Sequence, residues 1–446
     1  MAAALGAIPG LRVMPLYGAM PFAEQRKVMT PGATRRLVLA TAIAETSLTL
    51  PDIRVVVDGG LARRARFDPG SGMSRLVTER VSRAEADQRR GRAGRVAEGT
   101  CYRLWTRGEE GALPAYPPAE IETADLASLA LELAEWGASD LAFLTPPPAT
   151  ALAEARALLA DLGALDGGRI TRHGKALARM PLHPRLAHML AKAGKGAAPL
   201  AALLGDRDPM RQAGSDLGLR LDALAAGDKS PAFQRIRAEA KRLARHAGET
   251  RIDSPAEQAA LAYPDRIALR RPGDAPRWLL SGGKGVKLDP GDPLAGQRLL
   301  VVTDTDGHPT EAVIRTALPI TEAALRALFT DRIEDIRVAE WSRRDARVTA
   351  RIDERLGAIA LTSRRWSDVP DADLGRALLQ GIRQRGLAAS PAADRFRARV
   401  TLLREAGLAL PAMDETTLMD ALEDWLLPHL GRVRRAADWK GFDVLP

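Results

Sequence analysis

The sequence has little with which to staple or chelate. Its 446 residues include one cysteine, Cys101, so no internal disulfide can form, and six scattered histidines offer no metal-ligand spacing. Cys101, in GTCYRLW, reads as an inert buried thiol. Aromatic residues are 4% of the chain, which leaves few platforms for stacking single-stranded bases. No apolar run approaches the about 18 residues of a membrane helix, and MAAALGAIPGLR carries no charge ahead of its apolar stretch. A cytoplasmic protein without a membrane partner is therefore expected. A phosphate-cradling loop, G-x-x-x-x-G-K-[ST], is also missing: Gly174–Lys175, Gly194–Lys195 and Gly283–Lys284 are not followed by Ser or Thr.

What is present fits a folded multidomain chain. Hydrophobic residues are 46% and charged residues 27% of the total. This length suggests about three domains, each able to bury a core without disulfides. The formal net charge of +9 raises nucleic acid as a partner, although a GC-rich genome writing Arg for Lys gives the same balance.

LRVMPLY (Leu11–Tyr17), RRLVLAT (Arg35–Thr41) and IRVVVDGG (Ile53–Gly60) read as buried strands, with a helix over Pro21–Met29 between the first two. Strand, helix, strand at this spacing implies an α/β layer with a parallel sheet. Gly60–Val81 reads as a hairpin turned at DPGSG. Ser82 with Glu85 forms a capping box that opens a further helix. From Glu122 two Ala/Leu-rich helices flank the breaker Thr145–Pro148, followed by a tight turn at Leu165–Thr171 and a helix from Arg172: a winged-helix-like arrangement. A helical stretch covers Arg185–Gly248. Short β-type runs between Tyr263 and Ile320 match a small five-stranded barrel. The remainder mixes helices with one or two Trp-containing strands.

QRRGRAGR (Gln88–Arg95) puts four arginines and a glutamine into eight positions. Continued along the helix from Ser82, Gln88, Arg92 and Arg95 fall at i, i+4 and i+7 on one face. Planar guanidinium forks match phosphate oxygens, and Gly91, Ala93 and Gly94 keep the surface low. Like charges crowded together imply an anionic ligand or a set of carboxylate partners; a solvated basic helix face is the plain alternative. Upstream, ATAIAETSLTL places Thr41, Thr46, Ser47 and Thr49 at a strand's carboxyl end, where open α/β sheets bind ligands. Helix capping is the plain alternative there.

These motifs resemble the second RecA-like domain of the DEAH-type superfamily 2 RNA helicases. TAIAETSLTL is similar to their motif V and QRRGRAGR to their motif VI, while GLARRARFDP resembles their strand-gripping hairpin. The likeness continues through PLHPRLAHML and AYPDRIALRR to ADWK, which favours the bacterial HrpB branch. The resemblance implies a multidomain α/β plus α fold: a second RecA-like parallel-sheet domain (1–121), a winged-helix-like domain (122–184), a ratchet-like helical bundle (185–250), an OB-like barrel (251–320) and a mixed α/β C-terminal region (321–446). It implies ATP with Mg²⁺ as cofactor and RNA as partner. Arg92 and Arg95 would be arginine fingers on the γ-phosphate, with Gln88 on the same phosphate or the attacking water. Ser47 would sense the γ-phosphate, and Thr49 would approach the ribose. Thr41 would hold an RNA phosphate, and Arg63 or Arg64 the strand at the hairpin. Thr41 as a plain strand end, and Arg63 and Arg64 as a solvated hairpin tip, are the alternatives.

Three departures stand beside the likeness. Ala42 replaces the usual Asn after the motif V Thr. Met29 stands where the family often has an aromatic under the adenine. No D-E-x-H occurs, since Asp353–Glu354 and Asp414–Glu415 continue differently. In the family the phosphate loop and the Mg²⁺-holding acidic pair lie on the first RecA-like domain, so the chain is expected to begin inside the second and to need the first as partner. The other expectations are a stand-alone nucleic-acid-binding module without ATPase activity, and a protein-interaction fragment.

Overall fold

The computed structural model describes residues 8–435 except 19, 33, 47–49, 51, 69–72, 138–140, 388–389 and 432. The chain forms two compact units, one of Met1–Ala262 with Thr303–Ala317, the other of Tyr263–Val302 with Leu318–Pro446.

In the first unit, β1 (Arg12–Leu16) and β2 (Arg36–Ala40) pair in parallel, from Arg12 opposite Arg36 to Leu16 opposite Ala40. The crossover carries α1 (Phe22–Met29), and Met14, Leu16 and Val28 make a small core beneath it. A one-turn helix, α2 (Ile43–Thr46), follows β2. A second parallel pair joins β3 (Val55–Asp58) to β6 (Thr100–Arg103). Three runs expected in one parallel layer thus appear in two separately hydrogen-bonded pairs among the described residues.

Between β3 and β6 lie the expected hairpin and helix. Strands β4 (Leu61–Asp68) and β5 (Met73–Arg80) pair antiparallel along their full lengths. The turn into β4 needs glycine: Gly60 has φ +69°, and a Cβ there would lie 2.8 Å from the Trp105 ring. Helix α3 (Arg83–Gly91) starts with the anticipated capping box. Ser82 Oγ accepts from the Glu85 amide at 3.3 Å, and the Glu85 carboxylate accepts from the Ser82 amide at 2.7 Å.

Further along the same unit, α4 (Ala127–Trp136) ends at left-handed Gly137 and is followed by α5 (Ala149–Asp161). A two-residue hairpin, β7 (Leu165–Asp166) and β8 (Arg169–Ile170), turns on Gly167 and Gly168, both at positive φ. Helix α6 (Arg172–Ala178) then begins under the Thr171 hydroxyl. Leu126, Leu131, Ala155, Leu159 and Leu177 bury the faces these elements share. Helices α7 (Pro184–Ala193), α8 (Ala198–Leu204), α9 (Pro231–Ala244) and α10 (Pro255–Ala262) follow, with α8 packed on α9 and α7 on α10.

The expected barrel is closed. Its strands β9 (Ile267–Arg270), β10 (Arg277–Leu280), β11 (Gly285–Lys287), β12 (Leu299–Thr305) and β13 (Glu311–Pro319) run in the order β10-β11-β13-β12-β9. Trp278 is fully buried, and its indole donates to Gln297 O at 3.0 Å. The second unit also holds an antiparallel sheet of β14 (Ile333–Ser342), β15 (Arg347–Leu356) and β16 (Ile359–Arg365). Helix α11 (Asp371–Arg385) packs on one face of it through Leu374, Leu378 and Ile382 against Trp341, Val348 and Ile352. The fit is close: a Cβ on Gly381 would lie 2.5 Å from the Trp341 ring.

Candidate nucleotide and nucleic-acid site

Thr41 sits exposed at the carboxyl end of β2, on the side where open parallel sheets bind ligands. Its amide donates to Leu16 O, and its carbonyl accepts from Ala44 N, both at 3.1 Å, so the strand passes directly into α2. Ser47 and Thr49 lie outside the described residues. Met29 is half-buried as the last residue of α1.

The octet does not continue the helix as its spacing suggested. Helix α3 ends at Gly91, and Arg92 is its C-cap. The amides of Arg92 and Ala93 bond back to Arg89 O and Arg90 O, each at 3.1 Å, tightening the last turn. Gln88 and Arg92 remain one turn apart, but Arg95 has left the helix, so the three do not share one helical face. Two glycines explain this, each costing about 1 kcal/mol against Ala inside a helix. The chain then folds back onto the start of β3. Gly99 approaches so closely that a Cβ would lie 2.1 Å from Ala93 O and 2.7 Å from Arg54 O.

The arginines of the octet have different employments. Arg89 donates to Glu45 Oε1 at 2.6 Å, to Asp58 Oδ1 at 2.9 Å and to Leu61 O at 3.2 Å. Asp58 has a fully buried carboxylate, whose Oδ1 also accepts from Gly60 N at 2.9 Å. Burial works against the charge on Arg89, but the hydrogen bond and charge of Asp58, with Glu45, hold its pKa above the ordinary arginine value. Arg90 is exposed and 3.4 Å from Asp87. Arg92 is half-buried and donates to the backbone carbonyl of Glu45. Burial and then the neighbouring charge of Arg95 lower the Arg92 pKa, with Glu45 opposing. Gln88 and Arg95 are exposed. Two like charges held near each other beside an exposed carboxamide make an environment that an anion relieves.

At the hairpin, neighbouring arginines go to opposite faces. Arg64 lies between Glu79 and Glu85, paired to both, with 17% of its side chain exposed. Burial opposes its charge, and the hydrogen bonds it donates to Glu79 and Glu85, with their charges, outweigh that, raising its pKa. Glu85 is pushed up by burial, but Ser82 and Arg64 bring it below the usual carboxylate range. The same carboxylate therefore caps α3 with one oxygen and holds the hairpin with the other. Arg64 fastens the hairpin to α3, whereas Arg63 is exposed and has no ion pair among the described residues. Among the described residues no group of three or more His, Cys, Asp or Glu side chains could hold a metal ion.

Residues 2–97 match the helicase conserved C-terminal domain. The chain is 37% identical over 451 residues to the ATP-dependent RNA helicase HrpB of Escherichia coli, covering 96% of this chain and 54% of that protein. It is 38% identical over 192 residues to the ATP-dependent RNA helicase HrpA of the same organism, covering 41% of this chain and 15% of the relative. The crystal structure of the E. coli DExH-box NTPase HrpB matches with a TM-score of 0.73 at 34% identity, over 96% of this chain and 54% of that one. The chain is thus similar along nearly its whole length to part of an HrpB-type helicase. It spans about half the length of the HrpB protein it matches, and its multidomain fold is HrpB-like.

Within that helicase frame, Glu45, Asp58 and Arg89 are the residues that motif spacing missed. Arg89 was counted with the octet as general positive charge. The signal lay in the carboxylates of IAETS and VVVDGG, which had to meet a cation once buried. No helix among the described residues is long and apolar enough to cross a membrane.

Proposed function

We propose that this chain supplies the motif V and VI half of the nucleotide site of an ATP-dependent RNA helicase. The observation that carries the reading is the arrangement around α3: Arg92 and Arg95 repel each other beside exposed Gln88, while Arg89 locks the helix to α2 through Glu45 and Asp58. Arg92 and Arg95 are arginine fingers on the ATP γ-phosphate, and Gln88 orients that phosphate or the attacking water. Ser47 and Thr49 complete the nucleotide contacts, with Met29 against the adenine. Thr41 and Arg63 hold RNA phosphates; Arg64 serves the hairpin's position. Arginines aimed at a transferring phosphoryl group contribute about 10³–10⁵ in rate, or roughly 4–7 kcal/mol of barrier.

Among the described residues no side-chain group fits a Mg²⁺ site, and the sequence has no G-x-x-x-x-G-K-[ST] or D-E-x-H. The phosphate cradle and the Mg²⁺ ligands belong to a first RecA-like domain, which is the partner this reading requires. In the same reading, residues 1–121 are the second RecA-like domain, 122–184 a winged-helix-like domain, 185–250 a ratchet-like bundle, 251–320 an OB-like barrel and 321–446 the HrpB-type C-terminal region, working in the cytoplasm.

The test is RNA-stimulated ATP hydrolysis by the chain alone and after adding a separately made first RecA-like domain. Silence alone and turnover after addition are expected. Silence in both, with salt-sensitive RNA binding retained, would leave a nucleic-acid-binding module without ATPase activity.

A further inference from the structure

The strongest unassigned feature lies in the second unit, at one end of the sheet β14–β16. The turn from β14 to β15 reads SRRDAR (Ser342–Arg347), and it exposes Arg343, Arg344 and Arg347. The turn is held tight. Ser342 Oγ donates to Asp345 Oδ2 at 3.0 Å and accepts from the Asp345 amide at 3.3 Å, while Ala346 takes φ +47°, uncommon without glycine.

Some ninety residues later the chain returns to the same place. Val348 N donates to Arg434 O at 2.7 Å, and Arg347 pairs antiparallel with Arg435. A short extended segment thus lies along β15 beyond the end of β16 and adds Arg434 and exposed Arg435. The end of α11 joins them: Arg343 Nε donates to Gln384 Oε1 at 2.9 Å, beside exposed Arg385.

Charge accounting separates this cluster from the rest of the sheet. Arg351 and Arg355 are paired with Glu340 and Asp353. At the turn, the one carboxylate is Asp345, 3.2 Å from Arg344 and near enough to act on Arg347 as well, one negative charge among five arginines. Arg343, Arg347, Arg434 and Arg435 have no ion pair among the described residues. Rigid strands and a helix end hold these cations together, at a cost in mutual repulsion that a polyanion removes.

We infer that this patch binds the phosphate backbone of RNA, as a second contact apart from Thr41 and Arg63. An acidic protein partner fits less well. Protein interfaces centre on buried aromatic or apolar anchors, and here Trp341 is buried and Val433 half-buried, leaving guanidinium groups as the accessible chemistry. Arginine forks on phosphate oxygens dominate nucleic-acid interfaces. A contact made through phosphates carries no sequence information of its own. It shares no residue with the nucleotide site and does not rest on that reading.

The experiment is fluorescence anisotropy of a labelled oligouridine on the full chain across a salt series. The variants are a triple Arg343→Gln, Arg347→Gln, Arg435→Gln and the matching triple Lys. Each phosphate contact to a single strand contributes about 0.7 to the slope of log affinity against log salt. The Gln triple is expected to lower the slope by about 2 and to weaken binding about tenfold or more at low salt. The Lys triple should keep most of both, since ammonium groups still neutralise phosphate. The same loss is expected in a Thr41→Ala, Arg63→Ala background. Unchanged affinity and slope in a folded Gln triple would overturn the assignment. So would displacement of the RNA by polyglutamate as effective as by unlabelled oligouridine at equal charge, which would hand the patch to acidic proteins.

Discussion

The octet at the end of α3 and the sheet β14–β16 are both dense in arginine, and they handle it differently. In the octet, one guanidinium meets a fully buried carboxylate, while half-buried Arg92 reaches a backbone carbonyl and Arg90 and Arg95 are exposed. On the sheet, Asp353 is almost fully buried too, but Arg351 and Arg355 around it keep about a third of their side chains exposed. A buried carboxylate with a mostly buried partner makes a rigid fastening. The same carboxylate under solvent-reached cations makes a softer one. Arginine density is thus uninformative until each guanidinium is matched to its acceptor.

The largest effect should come from the outer arginines. With a first RecA-like domain supplied, Arg92→Ala is expected to lower kcat about 10³-fold while thermal stability stays nearly unchanged. If turnover survives, the sorting of the octet into fastening and finger fails.

Next comes the fastening. Arg89→Met leaves Asp58 buried without its cation, a loss of about 3 kcal/mol or more. Hydrogen exchange should show this as lost protection in residues 53–103 and not in 347–365. The double variant Arg89→Met, Asp58→Asn should recover much of it, because the unpaired charge is then gone. An Arg89→Met protein as protected as wild type would show the pair to be dispensable.

The smallest effect should be on the sheet. Asp353→Asn is expected to cost about 1–2 kcal/mol, since water can reach both arginines. Burial pushes the Asp353 carboxyl up, but Arg355, Ser363 and Arg351 leave it below the ordinary value of 3.8. A depressed folded pKa means that its contribution is complete above about pH 3.8 and lost as pH falls through the folded value. Exchange protection in 347–365 should therefore decline less steeply on acidification in the Asn variant. An equal slope in both proteins would place the acid sensitivity on other carboxylates.

Local rules made much of this molecule readable from its residues. The Ser82–Glu85 capping box, the glycine turn at 167–168, the β4–β5 hairpin and the barrel between Ile267 and Pro319 each follow from short-range chemistry. The octet shows where local reading stops: periodicity carried the helix through Arg95, while Gly91, Gly94 and the tight seat of Gly99 end it at Gly91. Non-local pairs were harder still. Nothing near Arg89 announces Asp58, thirty-one residues earlier, and nothing in SRRDAR announces Arg435. Such partners are selected by the fold, and charge counts in a sequence window cannot rank them. The proposed nucleotide site comes from motif likeness, whereas the pairing of Arg89 with Glu45 and Asp58 was not legible in the motifs.

Glu85 has a mechanical consequence. Because one carboxylate closes the cap of α3 and also grips Arg64, the hairpin and the first turns of that helix form a single lever without a joint between them. The helix ends at Gly91, just ahead of Arg92. The hairpin and the outer arginines are thus joined through one carboxylate and one short helix, with no other side-chain tie in that path needed to connect them.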